Sequence, residues 1–585
     1  MQFPDVVGIL ERFPHHHELK YGTAGFRAHN SVLPRLVYLV GVLAAHRSSF
    51  LSNKAIGIMI TASHNPVQDN GVKIVDPDGG MLEQSWEEIA SRVVMAKTPE
   101  ALLEALHSIP KRDASDAGAA GMPTVIVAMD TRPHSPQLLQ LVVDGAQACG
   151  AVVHNLGVRT TPQLHWHVGM FNLHGSLADD ELYFSQMASA FECLVGPGAQ
   201  LGPLTIDCAN GVGATVVEPL LAHLKLRGIV VTAVEAVNVR LDGVGLNDEV
   251  GAEHVQKKQL PPAGVPSATA CACASVDGDA DRLVYFYFEA DGRMVLLDGD
   301  KIAALFAVFL AECLSGVRSV QVSVVQTAYA NGASSHFLKS RGVHLHCVPT
   351  GVKHLHHKAL DADVGVYFEA NGHGSVLVKD SALRDIKQAA DGGDLGAARA
   401  IAFLNIINKY AGDAFADMLA AEAVLKSSNV TMRSWSAYYN DYPSRQSKIV
   451  VPDRYARTLF LHPYLYAVRF SPHPDSVKTV WDESRLLQPV ELQTAIDRAV
   501  ASVSAFLLCF CPAVTCTQQQ PGSRAFVRPS GTEDCVRVYA EAPTSVSAES
   551  LQRMIETAIR DALLEPGVSS KVCDSVGPSC DNTHS

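Results

Sequence analysis

Short runs rich in Val and Ile alternate with longer amphipathic stretches along most of this chain. The runs Ile56–Ile60, 125–129, 204–206, 270–276, Leu283–Phe288, 320–325, Val364–Phe368 and 535–540 predict strands buried on at least one face. Residues 137–149, the stretch opening near Thr215 and the stretch after Gly332 repeat their apolar positions at helical spacing. Strand, polar loop and helix recur at least three times, which predicts α/β architecture with ligand groups on loops at the carboxyl ends of strands. Three segments break the pattern: 114–122, 379–399 and 566–585. They read as linkers or surface insertions, the last as a disordered tail.

Length and composition narrow the class. A chain of 585 residues has room for roughly three to five domains, and a 47% hydrophobic share can fill several cores. The net charge of −13 argues against a nucleic-acid partner, since phosphate backbones call for clustered Lys and Arg. A small phosphorylated ligand in a local basic pocket stays compatible with it. The 13 cysteines contain no Cys-x-x-Cys pair, so structural zinc and a disulfide framework give way to buried reduced thiols. No run of about 20 apolar residues predicts a membrane span, and the first residues do not resemble a secretion signal. The C-terminal Thr-His-Ser is not a peroxisomal address. The expected compartment is therefore the reducing cytoplasm.

Four motifs carry chemistry. Thr61-Ala-Ser-His-Asn-Pro66 follows a strand, and the turn there is expected to expose Ser63, whose hydroxyl can carry a phosphoryl group. An ordinary Ser turn before proline is the alternative. Asp277-Gly-Asp-Ala-Asp-Arg282 sets three carboxylates at alternate positions, which converge on a hard cation such as Mg²⁺. A calcium-binding EF-hand fails here, because Arg282 and Phe288 stand where Gly and Glu are required; a solvated acidic turn is the remaining alternative. Arg528-Pro-Ser-Gly-Thr-Glu533 with Arg537 combines backbone amides, hydroxyls and guanidiniums suited to a phosphate, or else forms a plain turn. Glu369-Ala-Asn-Gly-His-Gly374 offers side chains that can bridge sugar hydroxyls, or forms a polar glycine turn. Asn371, with both a donor and an acceptor, could also meet the amide of a 2-acetamido group.

In order and content these motifs resemble the α-D-phosphohexomutase superfamily, from Tyr21-Gly-Thr-Ala-Gly-Phe-Arg27 to Glu541. The stretches Thr160–Leu164, Leu297–Lys301, Gln326–Gly332, Thr350–His357 and Glu369–Gly374 look like those of eukaryotic phosphoacetylglucosamine mutases. The resemblance implies three related mixed α/β domains around a cleft and a smaller α+β C-terminal domain. The boundaries expected are 1–197 (serine loop), 198–297 (metal loop), 298–447 (sugar loop) and 448–565 (phosphate loop), before the tail 566–585. It implies Ser63 as the phosphorylated residue and Mg²⁺ held by Asp277, Asp279, Asp281 and that phosphate. Arg282 would steady the transferring group, and Lys73 would act as general base or acid, with His64 and Arg27 nearby. Thr350, Gly351, Lys353, His354, Glu369, Ala370, Asn371 and His373 would line the sugar site. Arg528, Pro529, Ser530, Gly531, Thr532 and Arg537 would hold the second phosphate.

The implied activity interconverts N-acetylglucosamine 6-phosphate and N-acetylglucosamine 1-phosphate through a 1,6-bisphosphate, supplying UDP-N-acetylglucosamine synthesis. The rivals are a glucose or mannose phosphate mutase of the same superfamily and a catalytically silent scaffold relative. The sequence leaves oligomeric state open, with a monomer as the working expectation and a small sugar phosphate as the partner.

Overall fold

The computed structural model describes residues 8, 11–13, 19–22, 25–110, 121–266, 271–450, 477–510, 522–529 and 535–563; over 505–510 only the backbone is described. Ser530, Gly531, Thr532 and the segment 566–585 lie outside the described residues. The chain divides into two compact units, Met1–Val322 with Leu360–Trp435, and Ser323–Ala359 with Ser436–Ser585. The architecture is mixed α/β with several domains.

In the first unit one five-stranded sheet runs in the spatial order Phe26–His29, Asp69–Val75, Ile56–Ile60, Thr124–Met129, Val152–Val158. Its first two pairings are antiparallel and its last two parallel. All five residues of Ile56–Ile60 are buried, as a near-continuous apolar strand requires when both faces are covered. Helices Pro34–Phe50 and Ser135–Ala148 pack against each other on one face. A Cβ on Gly41 would come within 2.2 Å of the Val142 carbonyl, and one on Gly145 within 2.1 Å of the Tyr38 carbonyl. Helix Thr161–His174 covers the other face through Leu164 and Val168.

A second five-stranded sheet repeats the same pairing senses in the order Met294–Leu297, Leu283–Phe288, Ala272–Val276, Leu204–Asp207, Val234–Val237. In both sheets the third strand ends in a motif loop and returns as the antiparallel second strand. The pair Val364–Phe368 and Gly374–Val378 is built the same way around 369–373. The three motif loops of this unit are therefore hairpin connections, while the expected strand–loop–helix units are Thr124–Met129 with Ser135–Ala148, Leu204–Asp207 with Ala214–Leu226, and Val322–Thr327 with Gly332–Ser340. Hairpins need only short connections, so each motif is held at both ends by ladder hydrogen bonds.

The segment 379–399 also needs correction. It forms helix Asp380–Asp391 and the start of helix Leu395–Ile406, not an irregular surface insertion. Only Ala382 and Ile386 of the first helix are buried, so its composition is polar although one stripe faces inward. The second helix buries Ala397, Ala400 and Phe403, the last edge-on to Phe306 at 5.0 Å. Gly392-Gly393, which reads as a linker, is the turn between them, with Gly393 at φ 93°.

In the second unit, His344–Val348 runs parallel to the strand ending at Thr327. A three-stranded antiparallel sheet, Ser444–Val450, Cys535–Glu541 and Arg524–Pro529, carries helices Val490–Phe510 and Ser545–Leu563. Leu492, Ile496, Val527, Val538, Leu551 and Ile555 form their shared core. Among the described residues no helix is long and apolar enough to cross a membrane. Cys149, Cys208, Cys273, Cys313 and Cys535 are buried as expected, but Cys193 is exposed.

Candidate active site

Ser63 is fully buried, not exposed as its place in a turn suggested. The residues that bury it come from the aspartate loop, which the sequence places more than 200 positions away. Ser63 adopts φ 53°, a left-handed conformation uncommon for a residue with a Cβ. The backbone around it is held on every side. Its N–H donates to Thr61 Oγ1 at 2.8 Å. Its carbonyl accepts from Arg132 at 3.0 Å and from Asn247 Nδ2 at 2.8 Å. Arg132 also donates to the carbonyls of Asn65, Pro66 and Asp69, while Asp130 holds its Nε at 2.9 Å. The loop thus presents the Ser63 hydroxyl to Asp277 Oδ2, to which it donates at 2.7 Å.

Asp277, Asp279 and Asp281 are buried, and one carboxylate oxygen from each lies within 4.8 Å of the others. Their charges are shared unevenly. Burial, then Asp281 and Asp279, push Asp277 well above the carboxylate range. Burial works against ionisation of Asp281 too, but Lys73 and His373 overcome it and hold that carboxyl well below its ordinary value. Lys73 Nζ bridges Asp279 and Asp281 at 3.0 Å to each, and His373 Nδ1 lies 3.3 Å from Asp281. Burial opposes the ammonium, and the two aspartates more than compensate, so its pKa is raised. Thr161 Oγ1 donates to Asp279 Oδ2 at 2.6 Å, while Asp279 Oδ1 is buried without a hydrogen-bond partner. Three carboxylates, an unsatisfied anionic oxygen and oxygen-only donors fit a hard divalent cation.

Positive charge gathers at the same loops, with Arg27 beside Asn65 and Arg282 beside Asp277. Arg27 lies on an edge strand opposite Gly71 and reaches toward Asn65. Its pKa is lowered by burial and by Arg282. The Nε atoms of Arg27 and Arg282 are buried without hydrogen-bond partners. Burial opposes the Arg282 charge too, but Asp277, Asp281 and Glu253 more than compensate and raise its pKa; the two unsatisfied Nε donors suit an anion. Arg282 NH1 and His64 Nε2 both contact Glu253, at 3.2 and 3.1 Å. Burial, Arg282 and Arg27 lower the His64 pKa well below its ordinary value.

The sugar loop meets the same cluster through His373. It is seated on helix Gly299–Cys313, where a Cβ on Gly299 would lie 1.9 Å from the Glu369 carbonyl. The Gly299 N–H donates to the Ala370 carbonyl at 3.3 Å. Asn371 spends its side chain locally, accepting from the His373 N–H at 3.0 Å and donating to Glu369 Oε2 at 3.3 Å. Of its two roles the turn-shaping one is realised, and its acceptor is occupied.

The remaining expected residues belong to the second unit. Thr350 donates through N–H and Oγ1 to Glu483 Oε2 at 3.0 and 2.6 Å. Arg528 Nε approaches the same oxygen at 3.6 Å and donates to Tyr329 Oη at 3.1 Å. Arg537 stands opposite Arg528 in the ladder, with Pro529 ending that strand. Gly351 has φ 127°. Lys353 is buried, and burial lowers the His354 pKa.

Arg132, Asn247, Thr161 and Glu253 join the site without having been singled out from the sequence. Arg132 had one visible signal, Asp130-Thr-Arg-Pro at a strand end. Thr161 lies in the family-like stretch Thr160–Leu164, though no role is read for it there, while Asn247 and Glu253 arrive through tertiary contacts that local pattern does not encode.

Comparison with known proteins agrees with this geometry. Residues 35–100 and 92–178 match the description "Phosphoglucomutase/phosphomannomutase, alpha/beta/alpha domain I", and 519–558 match the C-terminal domain of that family. Residues 177–284 and 298–430 match "Phosphoacetylglucosamine mutase AMG1", domains II and III. The phosphoacetylglucosamine mutase of Arabidopsis thaliana is 38% identical over 96% of this chain and 99% of its own. An N-acetylglucosamine-phosphate mutase crystallised in a product complex, a member of the α-D-phosphohexomutase superfamily, is 34% identical with a TM-score of 0.79 over 95% of this chain and 99% of its own. The Aspergillus fumigatus N-acetylphosphoglucosamine mutase, crystallised with GlcNAc-6P and magnesium, is 34% identical with a TM-score of 0.80 over 96% of this chain and all of its own.

Proposed function

We propose roles for these residues from one premise: this chain belongs to the phosphoacetylglucosamine mutase family of the α-D-phosphohexomutase superfamily. It is an isomerase that interconverts N-acetylglucosamine 6-phosphate and N-acetylglucosamine 1-phosphate. The observation that carries the mechanism is the buried Ser63 hydroxyl donating to Asp277, with Arg282 beside Asp277 and Arg27 beside Asn65, each with an unsatisfied Nε donor.

In the working cycle Ser63 carries a phosphoryl group. A hydroxyl of the sugar monophosphate attacks the phosphorus, the Ser63 Oγ–P bond breaks, and a 1,6-bisphosphate forms. The bisphosphate reorients and returns its other phosphate to Ser63, releasing the isomer. Such transfers ask the protein mainly for alignment and charge neutralisation. Arg27 and Arg282 neutralise the phosphoryl oxygens. Lys73, held as an ammonium here, is ready to give a proton to an oxygen that becomes a leaving group. Asp277, Asp279 and Asp281, with the phosphate on Ser63, would hold Mg²⁺, which when bound neutralises developing charge on the transferred group. Glu369 accepts from sugar hydroxyls, kept in place by Asn371. Arg528 and Arg537, with Ser530, Gly531 and Thr532, bind the phosphate that is not reacting.

The test is direct assay of the purified protein with N-acetylglucosamine 6-phosphate and glucose 1,6-bisphosphate as primer. Formation of N-acetylglucosamine 1-phosphate, abolished in Ser63→Ala, is expected. Equal activity of Ser63→Ala overturns the assignment of the phosphoryl carrier.

A further inference from the structure

We infer that Glu253 is a positioning residue for phosphoryl transfer, fixing His64 and Arg282 relative to Ser63. Glu253 lies in the first turn of helix Ala252–Lys258, an element with no place among the sequence motifs. Its Oε2 meets His64 Nε2 at 3.1 Å and Arg282 NH1 at 3.2 Å, while Oε1 pairs with Lys257. His64 and Arg282 flank the reacting hydroxyl from different loops: one follows Ser63 directly, the other follows Asp281. Glu253 is the carboxylate that both share, so it couples the serine loop to the aspartate loop from outside the triad.

The arrangement has a physical rationale. Arg282 sits among Asp277, Asp281 and Glu253, with Asp277 and Asp281 farther from its Nε, at 3.7 and 3.9 Å. Without Glu253 the guanidinium would be free to swing onto the aspartates and lose its aim at the phosphoryl oxygens. A carboxylate can only accept hydrogen bonds, so His64 Nε2 must present its hydrogen to Glu253, which fixes the ring plane next to Ser63. Lys257 pairs with the outer oxygen and is exposed, so it balances charge without touching either site residue.

This inference rests on the mutase reading, and the experiment separates the two. Steady-state kcat and KM for N-acetylglucosamine 6-phosphate are measured for wild type, Glu253→Gln, Glu253→Ala, Glu253→Asp and Lys257→Ala, with circular dichroism confirming folding. Misplacing groups that orient a transfer costs rate more than binding, so Glu253→Ala should lose about 100-fold in kcat, and Glu253→Gln about 10-fold, with KM within about threefold. Glu253→Asp should recover part of the loss, and Lys257→Ala should stay within about twofold of wild type. Wild-type kcat in folded Glu253→Ala, or a loss confined to KM, overturns the inference while leaving the mutase reading intact. A wild type that turns over no sugar phosphate overturns both.

Discussion

The Ser63 backbone is where single residues matter most. A left-handed serine is costly unless its surroundings hold it, and Arg132 supplies that hold with contacts to four carbonyls of the loop. At the sugar loop the structure changes what one substitution should do. Asn371 is occupied by His373 N–H and Glu369, so it acts by orienting Glu369. Serine can keep the local turn bond but cannot reach Glu369. Asn371→Ser should therefore lower kcat/KM for N-acetylglucosamine 6-phosphate and glucose 6-phosphate together, with their ratio held within about threefold. Competition assays with both sugars measure that ratio. A collapse of the ratio would mean that Asn371 reads the acetamide directly. The serine and aspartate motifs were legible because each packs its chemistry into six consecutive residues. Glu253 and Arg132 were not, since one carboxylate on a short helix or one arginine after a strand is meaningless until folding brings its partners near.

At the scale of elements, strand boundaries followed from apolar runs, and Ile56–Ile60, Leu283–Phe288 and Val364–Phe368 keep their expected limits. Segment 379–399 misled because an amphipathic helix with two buried residues is polar by composition. Its successor is a core element, so Phe403→Ala should destabilise the fold by about 3–5 kcal/mol, as large-to-small changes among buried aromatics do. Denaturant titration tests this; a loss below about 1 kcal/mol would contradict the core role of helix Leu395–Ile406. Helix Thr161–His174 carries a pH signature. His165 is buried against the Gly79 carbonyl, and burial lowers its pKa from 6.5 to about 4. The unfolded chain binds that proton more readily, so the stabilising contribution is full above pH 6.5 and is lost as pH falls toward 4. The shift corresponds to roughly 3 kcal/mol. In His165→Gln the decline in stability between pH 7 and pH 5 should be visibly shallower than in wild type; an unchanged slope would contradict the burial argument.

The whole molecule uses one device three times in its first unit: a strand, a motif loop and an antiparallel return strand, carrying in turn Ser63, the aspartate triad and Glu369. Each loop is held at both ends by the ladder, and Asp279 Oδ1 and the Nε atoms of Arg27 and Arg282 stay unsatisfied there, as a site for a cation and an anion requires. Exhaustive chelation should therefore abolish turnover, and added Mg²⁺ should restore it; full activity in chelated buffer would remove the cation from the account. The central claim is that Ser63 carries the phosphate, and label transfer tests it most directly. With N-acetylglucosamine 6-[³²P]phosphate as substrate, the phosphate that enters on the sugar must return to the enzyme each cycle. Peptide mapping after brief turnover should place the label covalently on Ser63 and on no other residue. Turnover with an unlabelled Ser63, or with the label on a different side chain, would contradict the account.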